Sequence, residues 1–415
     1  ASGDITLSGE STSYRGIILS GTTTSSAGNV VLLGKGVDGI QVAGAVTVGS
    51  VGRVRSLTIT GTGTSGDGIT TSGALRATGA ITLTGYTATG ANGIDVGSTL
   101  ASTVAGDVIL SGKSGGINAG VYTTGVNLAN TLTVAAGNLT IQGATLVGGV
   151  AAPLAGSSAT GSRYGFSSGA AGDITVSGNI SLSGTSVTYM GAYLLGDVLS
   201  SDGNVALTGA GLYAMSLSGP VTAGTGVNPR TLTITTTGSN GYGLNTNAAA
   251  ALSATGSVAL TSYSSMGARG LAIAAPVRST LRGDVVISSY AGGTTNDHAF
   301  DLYAPVSAAS GGITLQGSAL VGGVATAAPG TAMTSRQAAG FAGSASAATL
   351  TATGDILIRA ASLDRVVGSV GVFTYGAISS TLGNVVIDGR GVTGVDLLAP
   401  VTAGSGSTIR SLRIS

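Results

Sequence analysis

Sixteen acidic side chains and a single histidine bound the acid–base chemistry open to this chain of 415 residues. Aspartates recur at one place in a short motif: Asp4, Asp107, Asp173, Asp284 and Asp355 each follow a glycine and precede an apolar residue. Paired carboxylates in a lateral groove would suit polysaccharide cleavage, with one acid and one base. Between these aspartates, however, the same position holds Asn29, Asn138, Asn204 and Asn384, or Ser and Ala. In this alignment no two aspartates fall on successive units. Like charges stacked directly opposite one another are destabilising, and alternation with Asn avoids that repulsion. The carboxylates therefore read as turn residues that accept from nearby backbone N–H groups. Glu10 is the only glutamate. His298 lies between Asp297 and Asp301 in NDHAFDLYAP, a grouping that could serve as a general base. Alternation there places Phe300 and Leu302 inward and Asp301 outward. It puts His298 in a turn column that elsewhere holds Arg15, Asp38, Asn92, Tyr164 and Arg269. The expectation is a structural turn, with no catalytic residue, no metal site, which would need a cluster of ligands, and no bound cofactor.

Other chemistry is thin. Cysteine is absent, which removes disulfides and thiolates. Net charge is +1, and no run of Lys or Arg would track phosphates, so no nucleic-acid partner is expected. The glycine-rich GTGTSGDG at Gly61–Gly68 lacks the lysine and following helix of a phosphate loop. Twelve tyrosines supply most of the aromatic content. Tyr14, Tyr164, Tyr213 and Tyr242 sit near one turn, where an exposed stripe could stack on sugars or on a neighbouring fibre. The plainer reading is isolated rings lying over a sheet with the hydroxyl wet.

The element that must position these residues is a strand with a glycine at each end. It reads GDITLSG at Gly3–Gly9, GNVVLLG at Gly28–Gly34, GAITLTG at Gly79–Gly85, GDVILSG at Gly106–Gly112 and GNLTIQG at Gly137–Gly143. It returns as GDITVSG at Gly172–Gly178, GNVALTG at Gly203–Gly209, GGITLQG at Gly311–Gly317 and GNVVIDG at Gly383–Gly389. Alternation puts Ile5 and Leu7 on one face and Thr6 and Ser8 on the other. The expected inward stack is Ile5, Val30, Ile81, Val108, Leu139, Ile174 and Val205. A second strand follows a short turn, as in DGIQVAG from Asp38 and NGIDVGS from Asn92. A third often opens after proline, at Pro220, Pro276, Pro305 and Pro400. Such units cannot bury a face alone and must stack as a solenoid. The predicted fold is all-β, a right-handed parallel β-helix of roughly fifteen three-stranded rungs, a rod on the order of 70 Å long.

A longer period overlies the rungs. RSLTIT at Arg55 recurs as RTLTIT at Arg230 and RSLRIS at Arg410, and LVGGVA at Leu146 recurs at Leu320. The offset implies a six-rung super-repeat within one continuous β-helix over 1–415. Its blocks are about 1–171, 172–353 and a partial 354–415. Long excursions at 146–163 and 320–336 fall at matching places.

GNVVLLG followed by DGIQVAG, together with GNLTIQG and GDITLSG, resembles the repeat regions of filamentous haemagglutinin-like exoproteins. The likeness extends over nearly the whole chain. It implies a right-handed shaft, two-partner secretion from a Gram-negative bacterium, and attachment or cell–cell contact at the cell surface. The function expected is thus the shaft of a secreted fibre or adhesin rather than an enzyme. Surface glycans or proteins are the partners this implies. No apolar stretch reaches the eighteen or so residues of a membrane span. One alternative is a subunit that assembles end to end into an extracellular filament, because motifs abut both ends and unpaired strand edges template pairing. The other is a polysaccharide-active β-helix enzyme.

Overall fold

The computed structural model describes residues 1–115, 123–146, 163–266, 269–292, 298–319, 339–362, 369–404 and 410–415. The chain divides into two units, Ala1–Gly211 and Leu212–Ser415. Each is a parallel β-helix with three parallel sheets and no helix among the described residues. Among the described residues the first sheet holds eight strands in the first unit and seven in the second, in keeping with the roughly fifteen rungs of about 27 residues that motif spacing implies. In the first unit the first sheet stacks Ile5–Glu10, Val30–Gly36, Leu57–Gly63, Ile81–Thr87, Val108–Ser114, Leu139–Thr145, Ile180–Ser186 and Val205–Gly211. In the second it stacks Leu232–Gly238, Val258–Ser264, Val285–Ala291, Ile313–Ala319, Ile356–Ser362, Val385–Arg390 and Leu412–Ile414.

Period-two alternation sets the core. In Ile81–Thr87 and Val108–Ser114 the first, third, fifth and seventh residues of each strand are buried and those between reach solvent. Ile81 stacks on Leu57 and Val108, and Leu83 on Ile59 and Leu110. Each fully buried aliphatic side chain contributes about 1.5–3 kcal/mol. Ile5, Val30, Ile81, Val108, Leu139 and Val205 belong to this stack as expected. Ile174 does not. It is inward and buried, but in the third sheet, between Leu132 and Val198, and Ile180 takes the first-sheet place. In GDITVSGNISLSG the third strand of one rung runs almost directly into the first strand of the next. Both carry glycine and alternate, so the motif alone does not distinguish them.

The corner between first and second sheets is closed by two facing columns of glycine. A Cβ built on Gly112 would lie 2.1 Å from the Gly125 carbonyl oxygen, and one on Gly85 would lie 2.0 Å from that of Gly93. The second-column glycines therefore serve close approach; their φ angles are not positive. In the second unit Thr236, Ser262, Ser289 and Ala360 stand where the first column otherwise holds glycine. Ser262 Oγ and Ser289 Oγ donate to the carbonyls of Gly270 and Ala299, so a hydrogen bond joins the two sheets at that corner. Proline also sits where its missing N–H costs nothing: the Pro276, Pro305 and Pro400 carbonyls still accept from Leu252, Val277 and Ile378.

The super-repeat markers open equivalent first-sheet strands. Left-handed Gly49 (φ 85°) and Gly224 (φ 79°) precede them, and Thr78 and Thr255 Oγ1 accept from the Arg55 and Arg230 N–H at 3.0 and 2.9 Å. Of the two long excursions, residues 147–162 and 320–338 lie outside the described residues.

Candidate functional site

The aspartates of the repeated turn form ladders of backbone capping. Asp4 Oδ1 accepts the Asn29 N–H at 2.7 Å, and Asn29 Oδ1 accepts that of Ser56 at 2.9 Å. Asp107, Asn138 and Asn179 repeat this up successive rungs, each carboxylate or amide oxygen taking the next N–H at 2.8–2.9 Å. Asp284 and Asp355 do the same for Gly312 and Asn384. An amide side chain above a carboxylate also donates to it, as Asn138 Nδ2 does to Asp107 at 3.1 Å. This is why Asn follows Asp up the column. Asp173 is the exception to the alternation. It precedes a third-sheet strand, and Asp197 lies on the next rung, its N–H bonded to Asp173 Oδ1 at 2.9 Å. Two aspartates do therefore occupy successive rungs, both at the surface, where water screens them. Glu10 pairs with Lys35 at 2.7 Å in the open.

The turn at His298 is more elaborate than its sequence implies. Asp301 leaves the core, as alternation requires, yet its side chain is only 2% exposed. Arg269 Nε approaches it at 3.1 Å, Tyr303 OH donates to it at 3.2 Å and Ser344 Oγ at 3.0 Å. The Arg269 guanidinium lies 5.8 Å from the Tyr242 ring centre. His298 stands beside Arg269 in register, and its Nδ1 is 4.0 Å from Asp301 without a hydrogen-bond partner. Burial lowers the His298 pKa; Asp301 opposes that shift and Arg269 adds to it. Burial raises the Tyr303 pKa, and the Asp301 charge adds to this. Asp297, the other expected neighbour, lies outside the described residues.

A linkage prediction follows from this turn. Folded His298 resists protonation, while the unfolded chain takes up a proton near the ordinary value of 6.5. The turn's contribution is therefore complete above about pH 6.5 and declines as pH falls below it. Thermal melts at pH 7.5 and 5.5 should show a larger acid-induced drop for the native chain than for His298→Asn. Equal drops would contradict the buried, neutral imidazole.

The four tyrosines named from the sequence do not form a stripe. Tyr14 is 59% exposed under the Arg15 guanidinium. Tyr164 stacks on Tyr193 with centroids 5.4 Å apart. Tyr213 is partly exposed, and Tyr242 lies under Arg269. A different pair stacks more closely. Tyr263 and Tyr290, on neighbouring first-sheet strands of the second unit, lie 4.7 Å apart and 9° from parallel. They border a groove of about 570 Å³ on the outer face of that sheet, which also takes in Gln316, Arg359, Asp388 and Arg390. Gln316 and Asp388 lie within copies of the seven-residue motif, GGITLQG and GNVVIDG, whereas Tyr263, Tyr290 and Arg359 do not. The strands VALTSYS and ILIRAAS lack its closing glycine and escape a search for it. Aligning the outward positions of every rung would have found them.

Fold and surface together define the class of the protein as a parallel β-solenoid. No family model matches its sequence, and no curated protein is significantly similar to it.

Proposed function

We propose that this chain is shaft material of a secreted bacterial surface fibre or adhesin of the filamentous haemagglutinin-like kind. The supporting observation is the division of labour within each strand. In the first sheet of each unit the first and third positions of every strand are aliphatic, while outward positions carry many Thr and Ser, as in Leu57–Gly63 and Leu232–Gly238. Such a body resists extension through parallel backbone ladders and offers a neutral, hydrogen-bonding surface. The Asp and Asn side chains of its repeated turn cap the backbone N–H of the next rung, as at Asp4, Asp107 and Asn138. Antibody raised against the purified chain should label intact cells of the source organism, and brief external proteolysis should remove the label. Beads coated with the chain should adhere to a surface that uncoated beads leave. Label seen only after permeabilisation, or coated beads that adhere no better than bare ones, would overturn the proposal.

A further inference from the structure

The outer face of the first sheet in the second unit departs from the usual Thr and Ser over five neighbouring strands. One outward column runs Tyr263, Tyr290, Ser318, Ala361 and Arg390, and the parallel one runs Thr261, Ser288, Gln316, Arg359 and Asp388. Tyr263 covers one face of the Tyr290 ring. The other face turns toward Ser318 and Ala361, the two smallest side chains of its column. Beyond them stands Arg390. The result is a slot walled at one end by an aromatic ring and at the other by a guanidinium, three strand spacings away, or about 14 Å between Cα atoms. Gln316, Arg359 and Asp388 form its side. Arg359 and Asp388 are direct register neighbours, yet no ion pair within 4.0 Å joins them. The Gln316, Arg359, Asp388 and Arg390 side chains make no hydrogen bond to the described residues.

We infer that this slot binds an acidic saccharide, with one pyranose face on the Tyr290 ring and an anionic substituent held by Arg390 and Arg359. The ring supplies a flat apolar surface for sugar C–H groups while its hydroxyl stays wet. Amide, guanidinium and carboxylate are the planar groups that grip vicinal hydroxyls and carboxylates two bonds at a time. Two guanidiniums against one carboxylate select an anion. The volume lies within the range of small-ligand sites. A lipid would leave four polar groups dry and unpaired. A nucleic acid strand would find no continued basic track beyond the two arginines. A peptide strand needs a free sheet edge, and this is a sheet face. The inference rests on this face alone and not on where the protein resides, so its failure would leave the shaft proposal standing, and the converse.

Calorimetry on the whole purified chain tests it with four probes: trigalacturonate, a sulfated heparin tetrasaccharide, neutral maltotriose and adenosine monophosphate. Binding of either acidic sugar in the micromolar to millimolar range is expected, with maltotriose at least about tenfold weaker. Whichever acidic probe binds more tightly identifies carboxylate or sulfate as the substituent. Tyr290→Ala should weaken binding about fivefold to tenfold, Arg390→Ala and Arg359→Ala should each weaken it further at low salt, and Ala361→Trp, which fills the slot, should abolish it. All four positions face outward, so melts of the variants should match the native chain and keep the comparison clean. Absence of binding at millimolar probe, equal binding of maltotriose, tighter binding of the nucleotide, or binding indifferent to both Tyr290→Ala and Ala361→Trp would each overturn the inference.

Discussion

Replacing Ile174 by Asp is expected to lower the melting temperature by on the order of 10 °C, while Thr175→Asp next to it shifts it by about 1 °C or less. Ile174 is 1% exposed and packed between Leu132 and Val198 in the third sheet. A carboxylate there has no donor within reach of the aliphatic stack. It must either remain charged without a partner or take up a proton, and the cost is several kcal/mol either way. Thr175 is exposed, with Thr133 and Leu199 as register neighbours, so a new carboxylate meets no like charge across the ladder. Circular dichroism melts of the two variants suffice. Equal shifts would invert the assignment of faces.

Gly112→Val is expected to be as damaging, for a different reason. Its Cβ would lie 2.1 Å from the Gly125 carbonyl oxygen, 2.6 Å from Val126 Cγ2 and 2.8 Å from the Gly125 carbonyl carbon. Two of these are backbone atoms held by ladders on both sides, so the first and second sheets must part at that corner. Overpacking of this kind costs about 1–3 kcal/mol or more. Gly112→Ala should fall between Gly112→Val and the native chain, since Ala360 occupies the equivalent place in the second unit at 5% exposure. Gly21 provides the control, because its Cβ would meet nothing within 4 Å. Gly112→Val melting with the native chain would mean that the glycine columns are not in close approach.

What the sequence made legible is what depends on period and punctuation. Alternation in GAITLTG and GDVILSG places Ile81, Leu83, Val108 and Leu110 inward, and all four are fully buried. Asp followed by Asn reads as turn chemistry because a side-chain oxygen can replace a missing backbone acceptor, and the ladder from Asp107 to Asn179 does this rung after rung. What stayed hidden depends on neighbours distant in sequence. Ile174 has the pattern of a first strand, and only the ladder decides which sheet it joins. Asp301 faces outward by parity, yet Arg269, Tyr303 and Ser344 cover it from three different strands or turns. The slot beside Tyr290 is built from five strands, and no window of sequence contains both its ring and its guanidinium. Where a serine or alanine replaces the closing glycine, at Ser262, Ser289 and Ala360, the motif fades at three of the five strands that carry the slot.

The register of those strands is the claim on which both core and slot depend, and cysteine trapping tests it without background because the chain has no cysteine. Gln316 and Arg359 are direct partners on adjacent strands and both face outward, whereas Ala361 is two positions further along. In-register parallel neighbours, about 4.8 Å apart, fall within the Cα separation that a disulfide spans. Under mild oxidation the Gln316→Cys, Arg359→Cys pair should cross-link rapidly and the Gln316→Cys, Ala361→Cys pair hardly at all. The reverse order, or equal rates for the two pairs, would contradict the register and with it the slot.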